Sequence, residues 1–327
     1  MSQITFTDRV VAITGAGRGL GREHALDLAR RGAAVVVNDL GGTGAGSGSS
    51  TSAADEVVAE IRAAGGRAVA NYDSVSTRAG GRAVTECAMD SFGRLDAVVN
   101  NAGFLRNKVF EDLEDAELDD IVDVHLKAAF YVTQPAYRVM QSQGYGRIVF
   151  TSSASGAFGS PEQTNYGAAK AGLLGLTNCL AWEGHRHGVL VNAVLPTAAG
   201  TRLTKEMSQE WFDEMVGPLP LDTGILAPAQ DPSYVTPLVV YLASEQNTAT
   251  RGFYSATGGR FAKVVTAVTH GWFGPLERPA TAEEIAGHFT EIESDEQGYY
   301  LPQSVIDESR PVLAHRLQQP GPASVGA

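Results

Sequence analysis

A glycine-rich turn between an apolar run and a helical pattern is the feature that most restricts how this chain can fold. The run Val10–Thr14 leads directly into four alternating glycines, which are Gly15, Gly17, Gly19 and Gly21. Apolar side chains then recur at helical spacing as far as Gly32, and a second apolar run covers residues 33–37. A strand, a tight turn, a helix and a second strand within about 30 residues predict a βαβ unit with parallel strands.

Further short apolar runs alternate with stretches long enough for a helix. These runs cover residues 68–70, 95–99, 147–150, 189–195 and 252–256. Because such alternation is typical of sheets covered on both faces, we predict an α/β protein with a doubly wound, Rossmann-like parallel sheet. This domain should span residues 1–259. Residues 260–327 should form a C-terminal extension packed on it, with a helix at 282–290 and a flexible tail from about 318.

Two segments interrupt the alternation. Residues 41–52 form a Gly/Ser/Thr-rich tract, which predicts a mobile surface loop. Residues 197–232 contain several prolines and a possible short helix at 205–216, directly after a strand end. Since that position borders the ligand crevice of an open α/β sheet, we interpret the segment as a substrate lid.

The composition excludes several classes of function. The 37 acidic side chains outnumber the 25 basic ones, so the formal net charge is −12, and no basic stripe interrupts this balance. Such a chain repels nucleic acid and anionic membranes, and we expect neither as a partner. No apolar run approaches the ~20 residues that span a bilayer, and the two cysteines provide no disulfide framework. Without a secretory signal, a cytoplasmic location is expected. We identify no metal site.

The glycine turn and an acidic strand end carry the first chemical hypothesis. Closely spaced glycines let the backbone approach a pyrophosphate, which the N-terminus of the following helix stabilises. Asp39 follows Gly21 by 18 residues, and its carboxylate could bind a ribose diol. The same carboxylate would repel the extra phosphate of NADP, whereas Arg18 could attract it; weighing Asp39 more heavily, we expect NAD. The turn residues of this site are Thr14, Gly15, Gly17, Arg18, Gly19, Leu20 and Gly21.

A second hypothesis concerns Tyr166, Lys170 and Ser153. Tyr166 and Lys170 are four residues apart at the beginning of an apolar helical stretch, so they share one helix face. A phenol with a pKa of about 10 is mostly protonated near neutrality, and a nearby cation favours the phenolate that exchanges a proton with an alcohol. Ser153, at a strand end, could hydrogen-bond the same substrate oxygen. Taken alone, a Tyr-x-x-x-Lys pair also occurs on solvated helix faces.

Together these motifs resemble the short-chain dehydrogenase/reductase family over about residues 5–260. The resemblance rests on residues 14–21, Asn100-Asn-Ala-Gly103, Ser153, Tyr166-x-x-x-Lys170 and Pro196. It implies that Tyr166 is the general acid/base, that Lys170 lowers its pKa and holds the nicotinamide ribose, and that Ser153 steadies the substrate oxygen. The cofactor contacts that it implies are Asp39, Asp73, Ser74, Asn100, Ala102, Gly103, Tyr166, Lys170, Pro196, Ala198 and Thr201.

One branch of this family is similar over about residues 5–310, on strings such as Val35-Val-Val-Asn-Asp-Leu-Gly-Gly42. This branch is the dehydrogenase unit of type 2 peroxisomal multifunctional enzymes, which oxidises (3R)-hydroxyacyl-CoA to 3-ketoacyl-CoA in β-oxidation and can act on 17β-hydroxysteroids. The resemblance therefore implies a hydroxyacyl-CoA dehydrogenase, whose substrate could carry a steroid. A 17β-hydroxysteroid dehydrogenase for free steroids and a catalytically silent NAD-binding regulator stay open as alternatives.

His125 and the substrate side are less constrained. Many family members have Asn at the position of His125, where it anchors a water-mediated proton path to the Lys. His125 could act as a proton relay, because the ordinary pKa of about 6.5 lies near working pH, or it could fill a polar gap in a helix. Four bases could bind CoA phosphates: Arg106, Lys108, Arg202 and Lys205. The family also implies a homodimer or homotetramer.

Overall fold

The computed structural model describes residues 3–42, 48–197 and 231–318, together with residues 211, 214 and 229. The chain divides into two compact units, Met1–Lys263 and Val264–Ala327. The sequence interpretation placed this division at residue 259. That the extension packs on the first unit stays a prediction.

Strands and helices alternate along the first unit, as predicted. Its strands are β1 (Val10–Thr14), β2 (Ala34–Asn38), β3 (Arg67–Asn71), β4 (Ala97–Asn100), β5 (Gly146–Thr151), β6 (Val189–Thr197), β7 (Gly252–Thr257) and β8 (Arg260–Val264). Its helices are α1 (Gly19–Arg30), α2 (Ser52–Ala63), α3 (Arg78–Phe92), α4 (Asp115–Val122), α5 (Ala128–Gln143), α6 (Ala154–Phe158), α7 (Thr164–His185) and α8 (Thr236–Ala243). Each predicted strand lies at or within a residue or two of an observed one.

The strands form one sheet in the order β3-β2-β1-β4-β5-β6-β7-β8. The pairs from β1 to β7 are all parallel. Strand order reverses between β1 and β4, and ligands of open α/β sheets bind beyond the carboxyl ends of the strands at such a point. The doubly wound parallel sheet is therefore confirmed.

The sequence interpretation missed β8. Gly258 and Gly259, with φ of 57° and 79°, connect β7 to β8. Two consecutive residues with positive φ suit the two-residue turn of a hairpin, and β8 adds to the edge of the sheet beside β7.

Apolar strands and flanking helices explain the core. Every residue of β1, β2, β4 and β5 is buried, as expected for strands with both faces covered. Helix α1 contacts α2 and α8, whereas α3 packs against α5. None of the helices within the described ranges is both long and apolar enough to cross a bilayer.

The described part of the second unit, up to residue 318, contains a short two-stranded ribbon and three α-helices. Strands β9 (Val268–Thr269) and β10 (Tyr299–Tyr300) pair antiparallel. The helix predicted at 282–290 is two helices, α9 (Ala282–Gly287) and α10 (Phe289–Glu293), because the backbone leaves helical geometry at His288. The last helix is α11 (Arg310–Gln318).

Several predicted features lie wholly or largely outside the described residues. They are part of the loop at 41–52, most of the interpreted lid with its helix at 205–216, the tail beyond 318, and the candidate residues Ala198, Thr201, Arg202 and Lys205.

Candidate active site

The glycine turn lies between β1 and α1 and leaves space for a ligand. Gly15 has φ of 62°, and a Cβ there would lie 2.7 Å from the Ala102 Cα. A Cβ on Gly17 would lie 2.8 Å from the Asp39 carboxylate, whereas one on Gly19 would meet nothing within 4 Å. The turn therefore packs tightly against the protein at Gly15 and Gly17, whereas Gly19 faces open space, as a backbone cradle for a phosphate requires.

Asp39 follows β2 and is fixed by the turn that it faces. Its carboxylate accepts hydrogen bonds from the Gly17 N–H at 2.8 Å and the Gly41 N–H at 2.7 Å. Arg18, the competing candidate for a 2′-phosphate, donates to the Gly42 carbonyl at 3.4 Å. A fixed carboxylate beside the glycine cradle suits the ribose of a dinucleotide.

Asn101 ties the glycine turn to the end of β4, and sequence reasoning missed it. Its side-chain amide donates to the carbonyls of Thr14 and Gly15, each at 3.1 Å. The Thr14 hydroxyl in turn accepts from the N–H groups of Asn101 and Ala102, each at 3.0 Å. The neighbouring Asn100 donates to Thr133 instead, at 3.1 Å. The repeated asparagine at 100–101 was the available signal.

Three elements bring Ser153, Tyr166 and Lys170 together. Ser153 caps α6 and accepts a hydrogen bond from the Ser155 N–H at 3.2 Å. Tyr166 and Lys170 lie in the first turns of α7, which begins at Thr164, so they are on one helix as the spacing predicted. The Lys170 Nζ lies 5.5 Å from the centre of the Tyr166 ring. The phenol, the hydroxyl and the amine therefore belong to one site.

Burial has the largest effect on the pKa values of Tyr166 and Lys170. It raises the pKa of Tyr166, while the neighbouring Ser153 hydroxyl acts in the opposite direction. Burial also lowers the pKa of Lys170 to about 7, although its Nζ donates to the Thr151 carbonyl. Burial disfavours the charged form of each group, so the lowering of the phenol pKa by Lys170 stays a prediction.

His125 lies in a π-helical turn, Asp123–Lys127, between α4 and α5. Its Nε2 lies 2.7 Å from the Phe104 carbonyl and 3.1 Å from the Phe104 N–H, while the buried Nδ1 has no hydrogen-bond partner among the described residues. Its ring meets that of Tyr166 edge to face at 5.0 Å. Burial, and then the charge of Lys170, hold the pKa of His125 well below 6.5. A neutral imidazole is compatible with both roles that the sequence leaves open for His125, so the proton relay stays a prediction.

The candidate residues share a cleft of about 560 Å³, a size typical of ligand sites. Those that line it are Gly15, Arg18, Gly19, Leu20, Asp39, Asp73, Ser74, Ala102, Gly103, His125, Ser153, Tyr166, Lys170 and Pro196. Four others do not line it: Thr14, Gly17 and Gly21 pack within the turn and against its neighbours, and Asn100 binds Thr133 on α5. The described residues contain no cluster of three metal-ligating side chains.

Two of the proposed CoA-binding bases already have acidic partners. Arg106 pairs with Asp120 at 2.6 Å, and Lys108 pairs with Glu117 at 3.8 Å. Both acids belong to α4, whose sequence is strongly acidic. A phosphate here would have to displace a carboxylate from each base and approach several others, so these two bases are poor candidates for CoA recognition.

Fold and site together define a nucleotide-binding oxidoreductase of the α/β class. The family model for short chain dehydrogenases matches residues 9–211. The chain belongs to the short-chain dehydrogenase/reductase family, and it is an enzyme with dehydrogenase activity.

Known proteins resemble the chain over most of its length. A short-chain type dehydrogenase/reductase of Mycobacterium tuberculosis is 42% identical over 286 residues, which is 87% of this chain and 94% of that protein. Peroxisomal multifunctional enzyme type 2 of Mus musculus is 42% identical over 323 residues, 98% of this chain but 41% of that protein. The full-length Drosophila melanogaster enzyme of that name superposes with a TM-score of 0.76 at 34% identity, covering 96% of this chain and 50% of that chain.

Proposed function

We propose that the protein oxidises a (3R)-hydroxyacyl-CoA to the 3-ketoacyl-CoA with NAD, as a step of β-oxidation. The carrying observation is that Ser153, Tyr166 and Lys170 line the same cleft as the glycine cradle and Asp39. The similarity to multifunctional enzymes over nearly the whole chain supports the acyl-CoA substrate. The chain spans less than half of the mouse relative, so that protein's other activities are not transferred.

Asp39 supports NAD rather than NADP. Its carboxylate is already held by two backbone N–H groups, so it cannot turn away from a 2′-phosphate without losing both hydrogen bonds. A phosphate there would meet a fixed negative charge.

In the proposed mechanism, Tyr166 as phenolate takes the proton of the substrate hydroxyl while a hydride leaves the carbinol carbon. NAD, when bound, would supply the hydride acceptor and a positive charge that favours the phenolate. Ser153 donates a hydrogen bond to the substrate oxygen, and Lys170 holds the nicotinamide ribose and stabilises the phenolate. Since burial raises the pKa of Tyr166 in the free protein, the phenolate depends on these positive charges.

We further propose that His125 belongs to the route by which the proton leaves. A second cavity of about 10 Å³, enough for one water, is lined by His125, Lys170, Asn100 and Thr14 together with apolar residues. The imidazole is neutral there and its Nε2 is held by the Phe104 backbone, so its Nδ1 would accept a hydrogen bond from such a water and orient that water for proton transfer, without itself taking up the proton.

Association into a homodimer or homotetramer is also proposed. Phe130 on α5 and Trp182 on α7 are 49% and 57% exposed, and α7 is apolar on most sides. Large exposed apolar side chains on long helices are typical of subunit contacts. Sedimentation of the protein and of Trp182→Glu tests this, and a monomeric native protein would contradict it. The cytoplasmic location likewise stays a proposal.

The test is NADH formation by purified protein with a (3R)-hydroxyacyl-CoA, with a free 17β-hydroxysteroid, and with NADP in place of NAD. We expect a much higher kcat/KM for the thioester and for NAD. A preference for the free steroid would transfer the assignment to a 17β-hydroxysteroid dehydrogenase.

Tyr166→Phe should abolish turnover and leave the calorimetric affinity for NAD nearly unchanged. Tyr241→Phe, which removes a hydroxyl from a partly exposed tyrosine on α8, is the matched control and should stay active. Retained turnover in Tyr166→Phe would refute the assignment of the base.

A further inference from the structure

Two buried asparagines stand beside the cofactor half of the cleft and are not explained by the mechanism above. Asn38 ends β2 and Asn71 ends β3, and the two residues are paired in the parallel register. They are 2% and 8% exposed. Burying two amides is unfavourable unless they are hydrogen-bonded, and apolar side chains would fill these positions at a lower free-energy cost.

Their side chains form a directed series of hydrogen bonds that ends on a carboxylate. The Asn38 Nδ2 donates to the Asn71 Oδ1 at 2.7 Å, and the Asn71 Nδ2 donates to the Asp73 Oδ2 at 2.7 Å. The Asn38 Nδ2 also donates to the Asp73 carbonyl at 3.0 Å. Each bond fixes the orientation of the next amide, so the series has one arrangement.

The same two residues hold the rest of the cofactor site in register. The Asn38 carbonyl accepts from the Ala16 N–H in the glycine turn at 2.9 Å, and the Asn71 carbonyl accepts from the Asp39 N–H at 3.0 Å. The Asp73 carboxylate is therefore positioned relative to both the phosphate cradle and the ribose-binding carboxylate.

Asp73 itself is exposed and lines the cleft. An exposed carboxylate samples many orientations in water, and the Asn71 amide restricts this one by holding a single oxygen. The other oxygen, Oδ1, accepts no hydrogen bond from the part of the chain that the structure describes, so it is free to accept one from a ligand. Fixing a group before binding reduces the entropy lost when the ligand binds.

We propose that Asn38 and Asn71 are positioning residues: they hold the carboxylate of Asp73, one of the cofactor contacts that the family resemblance implies, toward the exocyclic amine of adenine and so make the site selective for that base. The inference rests on the proposed NAD binding. Adenine presents an N–H₂ donor to a carboxylate, whereas hypoxanthine presents a carbonyl oxygen at the same position and would be repelled.

Calorimetric titration with NAD and with nicotinamide hypoxanthine dinucleotide tests the proposal. For one solvent-exposed hydrogen bond, we expect the native protein to bind NAD roughly three- to tenfold more tightly. Asn71→Leu should reduce this ratio to near one, chiefly by weakening NAD. Asp73→Asn should do the same.

Asn192→Leu is the matched control. Asn192 is also buried on a strand, and it hydrogen-bonds the Ala249 carbonyl and the Gly252 N–H away from the cleft. Asn192→Leu can reduce the stability of the protein, but it should keep the native ratio between the affinities for NAD and for nicotinamide hypoxanthine dinucleotide. If Asn71→Leu does not fold, Asn38→Ser removes the amide that orients Asn71 and carries the same expectation.

The outcomes separate this inference from the proposed function. Absence of NAD binding by the native protein would overturn the NAD assignment itself. Binding of NAD with an unchanged ratio in Asn71→Leu, or an equal loss for both dinucleotides, would show a purely structural role and refute the positioning role.

Discussion

Lys170 is buried beside the Tyr166 phenol, and this burial should lower the stability of the protein at neutral pH. Its pKa is about 7 in the folded protein, against 10.5 for an ordinary lysine. At 1.36 kcal/mol for each tenfold difference in proton affinity, the gap corresponds to about 5 kcal/mol. Since the folded pKa is the lower one, the unfolded chain binds more protons between these two values. The stability is therefore complete above the unfolded pKa and falls as pH decreases toward 7.

Replacing Lys170 by Met should remove this dependence. From pH 7 to pH 9 the linkage relation gives the native protein a gain of about 2 kcal/mol from Lys170 alone, which Lys170→Met should lack. The variant should also be more stable than the native protein at pH 7, and, if Lys170 has the proposed catalytic role, it should have no turnover, because a functional group is retained at the expense of stability.

Urea unfolding of the native protein and of Lys170→Met at three pH values from 7 to 9 measures the contribution of Lys170 as the difference between their free energies of unfolding. Titrations of groups common to both proteins cancel in this difference. Lys263→Met, which removes an exposed lysine from β8, is the control and should follow the native curve. Parallel curves for Lys170→Met and the native protein would show that burial does not perturb this lysine, and the reasoning would fail.

Two further changes test other parts of the site. A Cβ at Gly103 would collide with the His125 imidazole, so Gly103→Ala should destabilise the folded protein by about 1–3 kcal/mol. Adding His125→Ala should recover much of this loss, which a double-mutant cycle by urea unfolding measures. Additive losses in the cycle would contradict the contact. His24, fully buried on α1 and bonded to the Thr236 hydroxyl, has its pKa lowered to about 3 by burial. The contribution of His24 to the stability of the native protein should therefore fall by about 2 kcal/mol between pH 8 and pH 5, in addition to the changes from other groups such as His125 and Lys170. His24→Gln should lose about 2 kcal/mol less than the native protein over the same range, and equal losses would refute the shift.

The periodic parts of the fold could be predicted because they depend on local pattern. Apolar runs separated by helical stretches gave the parallel sheet, and the glycine turn with Asp39 gave the nucleotide site. The strand β8 was missed because Arg260–Val264 is a half-exposed edge strand without a continuous apolar run. A twin glycine at 258–259 was the signal for its hairpin turn.

The polar contacts that support the site could not be predicted from the sequence for a different reason. Spacing along one helix predicts that Tyr166 and Lys170 share a face, but it gives no register between separate strands. Asn71 meets Asn38 because β2 and β3 pair residue for residue, and Asn101 reaches the glycine turn because β4 lies beside β1. The lowered pKa of His125 could not be predicted from the sequence for the same reason, since the burial and the Lys170 charge that lower it come from elements distant along the chain. Residue type therefore indicated which groups can do the chemistry, whereas the protonation of those groups depends on neighbours that only the folded sheet supplies.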